Sequence, residues 1–135
     1  MKVLRKMGFT ETFVDLIWRL LSNNWYSVLI NGQSHGFFHS TRGVKQGDPL
    51  SSALFILSAE VLSRALNALF EDGRFVGYGM PKWSTKINHL SYADDAIIFT
   101  SADRYSLKKI ISVLQAYETQ SGQKINKEKS GFFMH

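Results

Sequence analysis

Asn88-His-Leu-Ser-Tyr-Ala-Asp-Asp-Ala-Ile-Ile-Phe-Thr100 sets two adjacent acids, Asp94 and Asp95, between two short apolar runs. Leu90, Tyr92, Ile97, Ile98 and Phe99 have the β-branched and aromatic character of strands, so the acids are expected at a tight turn where two strands meet. Side-by-side carboxylates repel, and both stay ionised most easily with a cation beside them. Magnesium and similar hard cations suit the position, because they take carboxylate oxygen and leave coordination places for substrate phosphates. Aspartate is also a common turn residue that bonds nearby backbone amides, and a doubled Asp in a hairpin is often only a solvated turn. What favours chemistry lies upstream.

Arg42-Gly-Val-Lys-Gln-Gly-Asp-Pro-Leu-Ser51 gathers glycines, cations, an amide and an acid at the mouth of an expected helix. Gly43 and Gly47 let backbone approach a ligand, Gln46 offers both donor and acceptor, and Arg42 and Lys45 suit phosphate. Asp48 before Pro49 reads as an N-cap followed by proline at the first helical position, which assigns Asp48 to the helix rather than to catalysis. Gln46 and Gly47 have no comparable structural duty.

These two segments resemble the palm of a reverse transcriptase of the non-LTR, LINE-type retrotransposons, and the resemblance points to a plant source. Asn31-Gly32 before Gly36-Phe-Phe38, Ser121-Gly-Gln-Lys-Ile-Asn126 and Lys129-Ser130 follow in the family's order and approximate spacing, so it covers nearly the whole chain. Ser52 stands where the family usually has proline, and Lys45 where arginine is frequent. The resemblance implies an α+β fold: a partial polymerase palm, an antiparallel β-sheet with helices packed on one face, filling residues 1–135 as one domain. It implies template-directed nucleotidyl transfer with two metal ions, Mg2+ or Mn2+, an RNA template, a DNA primer and deoxynucleoside triphosphates. Asp94 and Asp95 would be the metal ligands, Asp94 the more critical, with Tyr92 and Ala93 shaping the floor under the primer end. Gln46 and Gly47 would meet the incoming nucleotide or its template base, Arg42 and Lys45 its phosphates, and Lys129 or Lys124 would lie near the nucleotide.

The family places a third carboxylate on a strand before the helix that remains here as residues 2 to 7, and its fingers lie upstream and its thumb downstream. Asp15, inside an amphipathic helix, is a poor substitute. The expectation is therefore a fragment that binds catalytic metal weakly or not at all and is inactive alone. Two other classes stand beside it: a non-catalytic nucleic-acid-binding remnant, and a decayed product with an unpaired sheet edge and exposed apolar surface.

The 135 residues, 44% hydrophobic and 20% charged, are enough for one compact domain. There is no cysteine, which excludes disulfides and cysteine-based zinc sites, and the four histidines have no metal-ligand spacing on a helix. Sixteen Lys and Arg against eleven Asp and Glu give +5, a balance suited to polyanions. No apolar run is read as membrane-spanning and no signal-peptide core is found, so the chain is expected to be intracellular and free of membranes.

Along the chain, helices are expected over 2 to 7, from Thr10 to about Asn23-Asn24, over 49 to 70, and over 103 to 120. Thr10 is the second helix's cap, with Phe9 and Val14 as a staple and Phe13, Ile17, Leu20 and Leu21 on one side. Tyr26 to Ile30 and Phe37 to Ser40 read as a hairpin about Asn31-Gly32. Leu50, Ala53, Leu54, Leu57, Val61, Ala65 and Leu69 form a core-facing stripe. Residues 71 to 86 read as loop, where Trp83 either stacks on a base or, as the commoner use of a large aromatic, covers the core. In the last helix Leu107, Ile110, Ile111, Leu114 and Tyr117 face inward, Lys108 and Lys109 face water, and Gly122 is the stop. The tail from Lys124 reads as a loop and then a last strand.

Overall fold

The computed structural model describes residues 1–40, 43–45, 47–79 and 83–134. They fall into two units, Met1–Phe55 and Ile56–His135. The content is α+β, and its strands form two separate two-stranded antiparallel ladders.

In the first unit, α1 (Lys2–Lys6) and α2 (Glu11–Ser22) meet at Gly8, whose φ of 87° suits a residue without Cβ. Arg5 grips Glu11 through three contacts of 2.8 to 3.0 Å. Thr10 Oγ1 accepts the Phe13 amide and caps α2, as its sequence position predicts. The Phe9 ring stacks on Phe13, at 4.9 Å between centroids. Val14 and Ile17, each 1% exposed, carry the buried stripe, whereas Leu20 is 40% exposed.

The hairpin β1 (Trp25–Ile30) and β2 (Gln33–His39) turns on two residues, Asn31 at φ 49° and Gly32 at φ 78°. Positive φ at both central positions is the twist that suits a hairpin, and Asn-Gly reaches it cheaply. The short turn starts β2 at Gln33 rather than at Phe37. Tyr26 pairs with Phe38 but Val28 with His35, so Gly36 and Phe37 together oppose Ser27. Gly36, at φ 69°, makes this bulge possible.

Helix α3 (Pro49–Asn67) continues as a 3-10 turn, Ala68–Glu71. Taken as Pro49–Glu71 it is long and apolar enough to cross a membrane by length and composition alone, which corrects the reading that no such run exists. Its serines and the Glu60–Arg64 pair at 2.8 Å disguise that apolarity in the sequence, and a core helix has the same composition. Within the stripe Leu69 is buried and Leu54, Leu57, Val61 and Ala65 are half-buried, while Leu50 and Ala53 are exposed.

The core of the second unit is Leu66, Leu69, Phe75 and Ile110, with Leu62, Phe70, Ile98, Val113 and Leu114 packed around it. Helix α4 (Arg104–Ser121) is capped by Asp103, which accepts from the Tyr105 and Ser106 amides at 3.0 and 2.8 Å. Gly122, at φ 73°, ends it in the left-handed conformation. Val113 turns inward and Ile111 is 48% exposed, so the inward face is rotated slightly from the expected one.

The segment after the 3-10 turn is fastened to α4. Asp72 Oδ2 accepts from the Tyr105 hydroxyl at 2.6 Å and lies 3.1 Å from the Lys109 ammonium, so Lys109 pairs rather than simply facing water. The Val76 amide donates to the fully buried Ser106 Oγ at 2.9 Å. A Cβ at Gly77 would come within 2.9 Å of Phe70 Cε1, which explains glycine there. Trp83, expected to cover the core, is instead 88% exposed, because Phe70 and Phe75 already fill the aromatic share of that core. The tail forms a turn over Lys127–Lys129 and residues 131–134 carry no strand. Phe132 and Phe133 are 89% and 102% exposed, with no ladder partner among the described residues to order them as a strand.

Candidate functional site

Strands β3 (His89–Tyr92) and β4 (Asp95–Ile98) pair in the register His89↔Ile98, Leu90↔Ile97, Ser91↔Ala96, Tyr92↔Asp95. The loop is therefore Ala93-Asp94, and the two acids stand at the tip as their flanks predict. Asp94 is a loop residue and Asp95 is the first residue of β4. Ala93 has a φ of 51°, a left-handed backbone that an alanine adopts only at a cost.

Strand alternation sorts the hairpin into two faces. Leu90, Ile97, Tyr92 and Asp95 share one, and it is open: Leu90 is 55%, Ile97 60% and Tyr92 86% exposed. His89 and Ile98 share the other with Ser91 and Ala96, and it is packed at its base, Ile98 against the core and His89 against Ser63 of α3, while Ser91 and Ala96 nearer the turn are exposed. The Asp95 carboxylate thus projects on the bare side beside the Tyr92 ring. Both carboxylates are exposed, and neither has a hydrogen-bond or ion-pair partner among the described residues. Exposed carboxylate oxygens with no competing partner are available donors for a hard cation. The pair fits magnesium or manganese in donor chemistry, but among the described residues no group of three Asp, Glu or His is gathered that would complete a cage.

The base of the hairpin is tied down by residues that the sequence did not single out. Asn88, 1% exposed, donates its Nδ2 to the Leu66 carbonyl at 2.6 Å. His89 lies 2.7 Å from Asn88 Oδ1 through Nδ1 and 2.8 Å from Ser63 Oγ through Nε2. The only hint in the chain is a polar Asn-His pair opening an otherwise apolar strand.

The glycine-rich loop belongs to the first unit. Arg42 and Gln46, both predicted to meet substrate, lie outside the described residues. Gly43 and Gly47 have φ of 80° and 83°, so this backbone needs glycine at both. Lys45 is exposed, and its carbonyl accepts from the Asp48 amide at 3.3 Å and from the Ser51 hydroxyl. Asp48 Oδ1 accepts from the Leu50 amide at 2.8 Å, which makes it the cap of α3. Lys45, Asp48, Leu50, Ser51 and Leu54 line a shallow depression with Leu20 and Leu21 of α2. Lys124 is exposed, and Lys129 sits exposed in a turn whose amides bond Asn126, the Lys129 N–H at 3.2 Å from the Asn126 carbonyl.

A family model described as reverse transcriptase (RNA-dependent DNA polymerase) matches residues 1–135. The chain is 32% identical over 126 residues to the retrovirus-related Pol polyprotein from a type-2 retrotransposable element of Drosophila melanogaster, a match covering 93% of this chain and 11% of that protein. To the corresponding polyprotein from a type-1 element of Popillia japonica it is 26% identical over 129 residues, 96% of this chain and 20% of that protein. It is also 48% identical over 67 residues to an uncharacterized mitochondrial protein of Arabidopsis thaliana, covering 50% of this chain and 55% of the other. The match thus spans about half of the plant protein and a much smaller part of each polyprotein.

Proposed function

Because the chain belongs to the reverse transcriptase (RNA-dependent DNA polymerase) family, we propose that its β3–β4 turn is the metal-holding element of an RNA-directed DNA polymerase palm. The carrying observation is a pair of exposed carboxylates without partners among the described residues, Asp94 and Asp95, on a strand-supported turn in a chain matched along its whole length.

In this reading Asp94 and Asp95 would hold divalent cations, Asp94 the more critical. Bound cations supply activation of a primer 3′-hydroxyl and neutralisation of the pyrophosphate that leaves as the new bond to the α-phosphorus forms. The chain's own contribution is positional. The open face that carries Asp95, Tyr92, Leu90 and Ile97 offers a bare apolar floor for the primer end, shaped at the turn by Tyr92 and Ala93. By family resemblance Arg42 and Lys45 would meet phosphate, Gln46 and Gly47 the incoming nucleotide or its template base, and Lys129 or Lys124 would serve the nucleotide. Two carboxylates make an incomplete set for two metals, so the 135 residues alone hold metal only weakly and do not extend a primer.

The test is a manganese titration of the purified chain beside Asp94→Asn, read by paramagnetic broadening of amide signals, with primer extension on an RNA template. Broadening at millimolar Mn2+ centred on Tyr92–Ala96, lost in the variant, with no extension, is the expected result. Broadening spread over all acids and unchanged by Asp94→Asn would refute the assignment, and extension by the wild-type chain would refute its incompleteness. RNA binding that falls steeply with salt and ignores Asp94→Asn in the absence of metal would accompany a binding role for the +5 charge.

A further inference from the structure

We infer that Asn88, His89 and Ser63 form a hydrogen-bonded latch that positions the Asp94–Asp95 turn by fixing the base of its hairpin to α3, with His89 as its Nδ1–H tautomer. The inference rests on the proposed role of that turn, and assigns positioning residues to it.

Donor and acceptor counting sets the polarity of the latch. The Leu66 carbonyl can only accept, so the Asn88 atom 2.6 Å from it is the amide nitrogen. That leaves Asn88 Oδ1, an acceptor, facing His89 Nδ1 at 2.7 Å, so Nδ1 carries the hydrogen. A neutral imidazole has one N–H, which makes Nε2 the acceptor and the Ser63 hydroxyl its donor at 2.8 Å. One chain of bonds therefore runs from Ser63 through His89 and Asn88 to the Leu66 carbonyl, touching α3 at both ends. Serine, histidine and asparagine in this order also occur in nucleophilic triads. Here Ser63 lies within α3, where neighbouring amides are engaged in the helix, so an acyl-transfer reading lacks oxyanion donors.

The latch acts at the right place to control the turn. The Phe99 amide donates to the Asn88 carbonyl at 2.8 Å, closing the ladder below His89↔Ile98, and Ile98 packs against the core. The hairpin is thus gripped at its base on one face and free on the other. With about 3.3 Å of rise per residue the turn stands about 12 Å from the latch, so a tilt of about 10° at the base moves the carboxylates about 2 Å. Productive active-site geometry tolerates about 0.5 Å. Asn88 and His89 are accordingly positioning residues, acting through the strand rather than on substrate.

The experiment uses the 135-residue chain with 15N-labelled histidine, above the range where imidazole protonates. His89 is expected to show a protonated Nδ1 and an unprotonated Nε2. Ser63→Ala, a benign change in a helix, is expected to speed amide exchange at Leu90 and Ile97 about five-fold while α4 amides stay unchanged. It should also spread the Mn2+ broadening beyond Tyr92–Ala96. His89→Phe, which keeps a ring but loses both bonds, should exceed Ser63→Ala in each respect. An Nε2–H tautomer, or exchange that stays constant or rises equally in α4, would overturn the latch. A correct tautomer and selective exchange with no localised broadening in the wild type would retain the anchoring of the hairpin and reject the metal-holding role of the turn.

Discussion

Replacing Ala93 by glycine should stabilise the second unit, and the reason is the backbone of the turn itself. Ala93 has φ 51°. An L side chain in that region costs about 1–2 kcal/mol, and glycine pays none of it. Glycine gives back about 0.4–1 kcal/mol through a freer unfolded chain, so the net gain is about 0.5–1 kcal/mol. Ala93 is exposed, so no lost packing confounds the comparison. A β-branched residue sharpens it: Ala93→Val should lose about 1–2 kcal/mol at the same position. The assay is a urea titration followed by amide signals of residues 56–134, which isolates this unit from the other. With a slope typical of small proteins, the midpoint should rise by about 0.5 M for glycine and fall by about 1 M for valine. A glycine variant that unfolds at lower urea, or a valine variant indistinguishable from wild type, would refute the argument that the turn stores backbone strain between the strands.

The Asp72 cluster predicts acid sensitivity. The Tyr105 hydroxyl first, then the Arg74 amide and the Lys109 ammonium, hold the Asp72 carboxyl down from 3.8 to about 2. A carboxyl depressed in the folded state contributes fully above its unfolded value and loses that contribution as pH falls toward the folded one. Thermal melts should therefore show a component lost between pH 4 and pH 2 that Asp72→Asn abolishes; an identical pH profile in the variant would contradict it. Leu66, 1% exposed in the middle of the core, should cost about 3 kcal/mol as alanine in the same urea titration, and a loss below about 1 kcal/mol would mean the core closes over the space.

Features governed by a few neighbouring residues were legible in the sequence. Asn31-Gly32 marked a hairpin, though not how early its second strand begins, Asp48-Pro49 and Asp103 fixed helix starts, Gly122 fixed a helix end, and the apolar flanks of Asp94-Asp95 fixed a turn. Each depends on local φ/ψ preference or on an amide one to three residues away, which composition reveals. Features set by distant partners were not. Trp83 looked like core and is bare, Ile111 yielded its inward place to Val113, and Lys109 found Asp72 across the chain. The tail's Phe132-Phe133 has strand composition, but strand formation requires a partner strand, and β propensity alone supplies none.

The sequence by itself determined the family, the α+β class and the acid-bearing turn, because an acid pair between strand-forming runs and a glycine-rich helix mouth are local and ordered along the chain. Only the tertiary structure decided which side of the β3–β4 hairpin stays open and what holds its base. Alternation assigns Leu90, Tyr92, Ile97 and Asp95 to one face and His89 and Ile98 to the other, but nothing local says which face meets a helix. Contact with α3 and the core makes that choice, through Ile98 packing and through Asn88 and His89 reaching Leu66 and Ser63. Those partners lie 22 and 26 residues away, so they come into reach only once the chain has folded back on itself.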